Sequence, residues 1–307
     1  MLNLGKVAVI VPTLNAAEHF KFFLPALEKQ EISPAQLLVI DSSSDDDTVA
    51  QARAFGARVF SIARHDFNHG GTRRLATILC QNCELLVFLT QDAILESNAI
   101  AMIAGAFDDA KVGMAYGRQL PRPQARAIER YARLCNYPPH SETRQLSDRA
   151  CLGIKTVFSS DSFAAYRASA LTAVGSFPED CYFAEDQVVA ARLLLAGWKL
   201  AYVADAQVIH SHGYSLVEDF KRNFDVGVFH ATNPWLLREF GSAERAGLGF
   251  VASELRYLLN CAPWSIVSAL LRTLVKYAGY RIGRKHAALS VAWKVHLSMQ
   301  PYHWRGR

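Results

Sequence analysis

The chain of 307 residues predicts an α/β fold, a mainly parallel sheet flanked by helices, with a helical extension at its C-terminal end. Three observations carry that expectation. Apolar runs of strand length alternate with helically spaced apolar residues over about the first ninety positions, as in repeated strand–helix–strand units. Each run leads directly into a polar cluster, and ligands of such sheets bind beyond the carboxyl ends of the strands. After Ser215 the spacing stays helical to the end.

Taken in order, residues 6–11 read as a buried strand, followed by a helix carrying Phe20, Phe23, Leu24 and Leu27. A second strand covers 37–40, a helix 50–55, a third strand 58–62, a helix 72–80 and a fourth strand 85–89. Beyond residue 110 the pattern loosens: 112–116 and 156–159 are strand candidates, 125–135 and 187–196 are helical, and 200–203 is a late strand. Gly197 suits the left-handed position that ends a helix, and Pro263 suits the opening turn of another.

Composition narrows the class. With 51% apolar and 20% charged residues the chain is globular, which excludes disordered and fibrous proteins. No uninterrupted apolar stretch reaches the roughly 18 residues of an ordinary membrane-spanning helix. The opening residues lack a basic head, a long apolar run and a cleavage site, so they read as a strand rather than a signal peptide. Cysteines at 80, 83, 135, 151, 181 and 261 are too scattered for a disulfide framework, and a reducing cytoplasm is the expected setting. Cys80 and Cys83 have redox-motif spacing but no second pair, so no metal or redox role is expected of them.

Charge is unevenly spread. From Leu255 to Arg307 there is no acid but nine Lys or Arg, and removing these from the net +5 leaves about −4 for residues 1–254. A basic, aromatic tail on a mildly acidic body favours an anionic partner: lipid headgroups, nucleic acid or a phosphate-bearing substrate. No nucleic-acid-binding module accompanies the cations, so nucleic acid is not expected.

The polar clusters carry the chemistry. Asp41 closes a strand and opens the run Asp41-Ser-Ser-Ser-Asp-Asp-Asp47; it can accept hydrogen bonds from a nucleobase or ribose, while Asp45–Asp47 begin the next helix. His69-Gly-Gly-Thr-Arg-Arg74 opens a helix whose glycines let backbone N–H groups approach an anion, with arginine to pair with phosphate. It matches neither the Rossmann glycine signature nor a Walker A loop. Asp92, beyond the fourth strand, can hold a hard divalent cation or cap the residues from Ile94 onward. Glu185 and Asp186 are either dipole partners of a helix start or a pair in which one removes a proton and the other positions it. In His210-Ser-His212 the two imidazoles point the same way in extended chain, fit to ligate a metal, bind phosphate or pack.

In order along the chain, Val9-Ile-Val-Pro-Thr-Leu-Asn15, Asp41-Ser-Ser-Ser, Thr90-Gln-Asp-Ala93, Phe183-Ala-Glu-Asp186 and Val208-Ile-His-Ser-His212 resemble the family-2 glycosyltransferases of GT-A fold. Asp66-Phe-Asn-His-Gly-Gly-Thr-Arg73, Lys276-Tyr-Ala-Gly-Tyr-Arg-Ile-Gly283 and Leu297-Ser-Met-Gln-Pro-Tyr-His-Trp304 bring it nearer to the rhamnosyltransferase subset.

The resemblance implies a GT-A catalytic domain over 1–214, with a nucleotide-binding half 1–95 and an acceptor-side half 96–214, and a helical basic region over 215–307. It implies an inverting transfer of a sugar, L-rhamnose from dTDP-rhamnose, to a glycan acceptor carried on polyprenyl diphosphate, in cell-surface polysaccharide synthesis. Pro12, Thr13, Asn15, Asp41, Gly71, Arg73, Gln91 and Asp92 would hold the donor, with Arg73 on base or diphosphate. Asp92, His210 and His212 would hold Mg²⁺ or Mn²⁺. Asp186 would be the general base, assisted by Glu185, and Tyr182, Phe183 and Trp198 could stack on sugar rings.

Three departures from the family pattern stand out. The metal motif has one carboxylate, in Gln91-Asp92-Ala93, where two are usual. Arg74 stands where the subset more often has Asn, which bears on donor contacts. The Gln-x-x-Arg-Trp motif of processive members is missing, which favours one sugar per encounter. Over residues 263–280, Trp264, Val267, Leu271, Leu274 and Ala278 line one side with Arg272 and Lys276 elsewhere. Such a stripe can lie in a membrane interface, placing the protein on the inner face of the cell membrane, or pack on the body or in a homodimer. A non-catalytic scaffold subunit and a sugar nucleotidyltransferase are the alternative functions; the latter's glycine-rich loop is not found after the first strand.

Overall fold

The computed structural model describes residues 4–305 and places one nine-stranded mixed sheet between two layers of helices. Its strands are β1 (Val7–Thr13), β2 (Leu37–Asp41), β3 (Arg58–Ser61), β4 (Leu85–Leu89), β5 (Ile94–Leu95), β6 (Val112–Leu120), β7 (Glu142–Arg144), β8 (Phe163–Arg167) and β9 (Lys199–Ile209). The longer helices are α1 (Ala17–Glu28), α2 (Thr48–Phe55), α3 (His69–Leu79), α4 (Ala99–Gly105), α5 (Ala127–Asn136), α6 (Glu185–Leu195), α7 (Leu216–Thr232), α8 (Ala243–Cys261) and α9 (Ile266–Gly283).

Strand order is β3-β2-β1-β4-β8-β6-β9-β5, with β7 paired to β9. The first four strands are parallel, while β8 runs antiparallel between β4 and β6. The chain builds outward from β1 to β3 and then crosses back to β4, so the β1/β4 boundary is the point where a cleft opens beyond the strand ends. β2 and β4 are buried along their whole length, which is why they read as continuous apolar runs rather than alternating ones. Side chains of alternate parity fill the two faces: Val9, Val39 and Val87 on one, Ile10, Ile40 and Phe88 on the other. Gly197 ends α6 with φ +86°, as expected.

One expected element is absent. Residues 156–159 are not a strand, because the buried Arg144 guanidinium donates to the carbonyls of Lys155 (2.5 Å), Thr156 (3.3 Å) and Phe158 (2.9 Å) and holds a 3₁₀ turn, Gly153–Val157. The strand in this region is β8, which the apolar pattern missed. Between Gly117 and Arg118 the β6–β9 register shifts; such a bulge re-aims a strand, and Gln119 beyond it joins the cavity described below.

The C-terminal helices pack back on this body. α7 begins at a capping box in which Ser215 and Glu218 satisfy each other's backbone N–H groups. α9 lies on α7 backbone to backbone: a Cβ at Gly283 would stand 2.1 Å from Phe224 O, and one at Gly279 would stand 2.4 Å from Phe220 O. Gly283→Val is therefore expected to destabilise the chain by about 1–3 kcal/mol, the cost of overpacking, read as a lower urea midpoint with unchanged slope.

Candidate active site

Three groups of side chains gather beyond the strand ends. The first joins β1 to β2. Thr13 Oγ1 and Ser44 Oγ donate to Asp41 Oδ1 (2.9 and 2.5 Å), and the Ser44 N–H donates to Oδ2 (2.9 Å). Asp41 is thus buried and engaged by its own chain, and Asn15 and Ser43, both at positive φ, are among the exposed residues beyond the two strands. Asn15 Oδ1 accepts the Asp45 N–H (2.9 Å). Gln91 grips both backbone groups of Leu14 (2.9 and 3.2 Å), tying the end of β4 to that of β1 next to Pro12.

The second group is Asp92, His210 and His212. Their ligand atoms lie within 4.8 Å of one another. His210 Nε2 is 3.4 Å from Asp92 Oδ1, His212 Nε2 is 3.5 Å from Oδ2, and the two Nε2 atoms are 3.1 Å apart. His210 Nδ1 donates to Gln119 Oε1 (2.9 Å), an acceptor that Arg133 Nη1 also uses, which orients the ring with Nε2 toward the group. Burial, then the neighbouring His210, pushes His212 down to about 4, leaving it neutral. Two imidazoles, of which His212 is neutral, and a carboxylate converging on one point suit a divalent cation, so these residues fit the expected ion. Arg122 Nη2, 3.3 Å from Asp92 Oδ2, is the neighbouring cation.

The third group surrounds the start of α6. Ala184, in left-handed conformation at φ +56°, turns the chain so that Glu185 points inward and Asp186 lines a cavity. Arg73 is buried between Asp161 (Nε to Oδ2, 2.9 Å) and Glu185 (Nη1 to Oε1, 2.8 Å). The Tyr166 hydroxyl donates to Asp161 Oδ1 (2.5 Å), and Asp186 Oδ2 accepts the Asp161 N–H (3.3 Å). Burial, followed by the charges of Asp161 and Glu185, raises the Asp186 pKa well above the usual carboxylate range. Burial raises Asp161 to about 6, against the pull of Arg73.

This geometry corrects the reading of the glycine-rich stretch. Arg73 is committed to Asp161 and Glu185 rather than to a diphosphate. The Gly71 N–H is taken by the Asn68 side chain (2.6 Å), which caps α3, so it is no anion donor. The close approach is made by Gly70 instead: its N–H donates to Cys181 O (3.1 Å), and a Cβ there would lie 1.9 Å from Pro178 O. Arg74 holds the same loop through Glu179 (2.8 Å) and Gly175 O (2.9 Å). The stretch therefore fastens the loop that delivers Glu185 and Asp186. Trp198 is also no sugar platform, since it packs on the core beside Gly113. Phe183 does line the cavity, whereas Tyr182 stacks on His303 at 3.9 Å between ring centres.

The second and third groups face one cavity of about 410 Å³, which Gln119, Tyr137, Arg222 and Gln300 also line. Sequence reasoning missed Asp161, Gln119 and Gln300. Gln300 is there because buried Asp225 accepts from Ser298 Oγ (2.6 Å) and the Met299 N–H (2.9 Å), which fastens the C-terminal segment over the site. Only the kinship of two distant motifs, residues 66–73 and 297–304, hinted at this contact: Gln300 Nε2 lies 3.4 Å from His69 Nε2.

Residues 5–225 match the family described as "Glycosyltransferase like family 2". The chain belongs to glycosyltransferase family 2. It is 44% identical over 298 residues to the O-antigen chain rhamnosyltransferase WbaN of Salmonella anatum, covering 96% of this chain and 95% of the relative. It is equally similar to RfbN of Salmonella typhimurium, of the same description, over 301 residues, 97% and 96% of the two chains. The fold resembles the mannosyltransferase PcManGT of Pyrobaculum calidifontis, solved with GDP-Man and Mn²⁺ (TM-score 0.59, 18% identity, 96% and 86% coverage). It also resembles S. aureus TarS 1–349 solved with UDP (TM-score 0.54, 16% identity, 92% and 91% coverage). This family-2 chain has the GT-A fold, and membership makes it a nucleotide-sugar-dependent glycosyltransferase rather than a nucleotidyltransferase.

Gly70→Ala tests the loop assignment. Displacing Pro178 by an ångström or so moves Asp186 with it, and such misplacement lowers turnover by about 10²-fold. Sugar-nucleotide binding by calorimetry is expected to change far less than turnover, while the urea midpoint falls as it does for the backbone clash at Gly283.

Proposed function

We propose that this glycosyltransferase moves L-rhamnose from dTDP-rhamnose, with inversion, onto a glycan acceptor carried on polyprenyl diphosphate, in O-antigen-type polysaccharide synthesis at the inner face of the membrane. The observation that carries this reading is the single cavity shared by the Asp186 carboxylate and the Asp92–His210–His212 group, in a chain so similar to two rhamnosyltransferases. Residues 1–214 then hold the reacting partners, and 215–307 close the site and seat the chain.

The geometry supports the following roles. Asn15, Ser43 and Pro12 border the nucleoside, supported from beneath by Thr13 and Asp41. Asp92, His210 and His212 hold Mg²⁺ or Mn²⁺, which when bound supplies positive charge to the departing diphosphate. Asp186 takes the proton of the acceptor hydroxyl as that oxygen bonds to the anomeric carbon. The bond from that carbon to the diphosphate oxygen breaks on the opposite face, and its electron pair leaves with dTDP. One displacement gives inversion. A base works best when its pKa lies near the working pH, and burial of Asp186 beside two other carboxylates moves its pKa upward, in that direction. Glu185 is a positioning residue, held by Arg73.

The test is transfer from dTDP-rhamnose to a lipid-linked glycan, with Mg²⁺ or Mn²⁺ and with chelator. Asp186→Asn is expected to lower kcat by about 10²–10⁴-fold with little change in donor affinity. Because Asp186 must be deprotonated to act and its pKa is raised, kcat in the parent protein is expected to fall as pH drops through a value above the ordinary carboxylate range. Unchanged turnover in Asp186→Asn eliminates the base, and transfer from UDP- or GDP-sugars alone eliminates the donor.

A further inference from the structure

The basic amphipathic helix of the C-terminal region has its faces arranged opposite to what solvation would dictate. Arg272 turns inward, donating to Tyr214 O (2.7 Å) and Asp219, and Lys276 Nζ lies 3.6 Å from Asp219 Oδ1. The apolar stripe turns outward: Trp264 is 79% exposed, Val267 77%, Leu274 67%, Tyr277 52% and Leu271 46%. These residues recur at three- and four-residue spacing, so from Val267 to Tyr277 they share one side of α9 over about three turns, with Trp264 in the turn just before it. The helix cannot roll to bury them. Gly279 and Gly283 meet the α7 backbone on the opposite side, and a Cβ at Gly227 of α7 would stand 2.3 Å from Tyr280 O.

We propose that this outward face of α9 seats the chain on a membrane surface bearing anionic lipid headgroups. Charge selects this occupant. Arg281, Arg284, Lys285 and Lys294 follow the stripe, and no acid occurs after Glu254. A second copy docked through the same face would bring like charges together, whereas anionic headgroups neutralise them. The aromatic members suit the headgroup level, where an apolar ring meets a polar partner. Arg281 stands over the Tyr277 ring (5.6 Å) and donates to its hydroxyl (2.7 Å), a pair that keeps its charge at the rim of the stripe. Among the described residues no helix is long and apolar enough to cross a membrane, so contact is made from one side.

The opposite, inward face of α9 borders the chemistry. A cavity of about 730 Å³ takes Ser265, Ser268, Arg272 and Lys276 as one wall, and shares Arg133, His212 and Arg222 with the catalytic cavity. An acceptor passing from the bilayer surface toward Asp186 would enter through this cavity, whose wall carries the acids Glu129, Glu218, Asp219 and Glu254 as well as cations; this consequence rests on the function proposed above. The seat itself does not.

The test is sedimentation of the full chain with vesicles of phosphatidylcholine alone or mixed with phosphatidylglycerol, without donor or acceptor. The chain is expected to pellet with the mixed vesicles, to be released in part by salt, and to bind phosphatidylcholine alone weakly. Val267→Glu with Leu274→Glu is expected to abolish pelleting while the urea midpoint holds. Arg281→Gln with Lys285→Gln, which leaves the stripe intact, is expected to weaken binding to the mixed vesicles by roughly fivefold per cation. Asp186→Asn is expected to bind vesicles as the parent does, separating this result from any failure of the function. A chain that stays in the supernatant with both lipids overturns the proposal. So does a dimer that the paired Glu variant converts to monomer, which would make the occupant a second copy, and so does equal binding to both vesicle types.

Discussion

The site depends on one buried cation. Arg73 sits almost out of reach of water between Asp161 and Glu185, with Asp186 beside them, and three carboxylates cannot be packed together in the interior without it. It reaches this position because α3 starts where it does, capped by Asn68, with Gly70 against the loop that leads into α6. The same helix start touches the C-terminal segment through His69 and Gln300. Three parts of the chain about a hundred residues apart or more are thereby held to one geometry, and removing the cation would leave its partners buried and unpaired. One guanidinium does not neutralise three carboxylates, and burial, followed by the excess negative charge, keeps Asp186 a strong proton acceptor.

Much of the fold was legible. Strands buried on both faces write themselves as continuous apolar runs, and 37–40 and 85–89 fell within a residue of β2 and β4. β8 escaped because Phe163-Ala-Ala-Tyr-Arg167 offers little β-branched pattern, while Thr156-Val-Phe-Ser159 offers more and is overruled by Arg144, whose partners no local window contains. Asp92, Glu185, Asp186, His210 and His212 were legible because each follows a strand or opens a helix, where short spacing constrains direction. Asp161 and Gln119 were not, since their significance comes from Arg73 and His210, far away in sequence.

The glycine-rich stretch shows why local pattern has limits. Glycines at a helix start look the same whether they approach an anion or another stretch of backbone. Only the carbonyl of Pro178, more than a hundred residues on, distinguishes the cases. The C-terminal region repeats the lesson with charge. Its amphipathic spacing was plain, but the direction of each face depends on Asp219 and on glycines that fit only the α7 backbone.

Calorimetric titration of Arg73→Met with dTDP-rhamnose in the presence of Mn²⁺, alongside its turnover, most directly tests whether Arg73 acts through the carboxylates. If it does, donor affinity stays close to that of the parent while kcat falls and its acid limb moves to higher pH, because the cation that lowers the Asp186 pKa is gone. Donor affinity that collapses while the pH dependence of kcat stays put would contradict this, and would return Arg73 to the diphosphate.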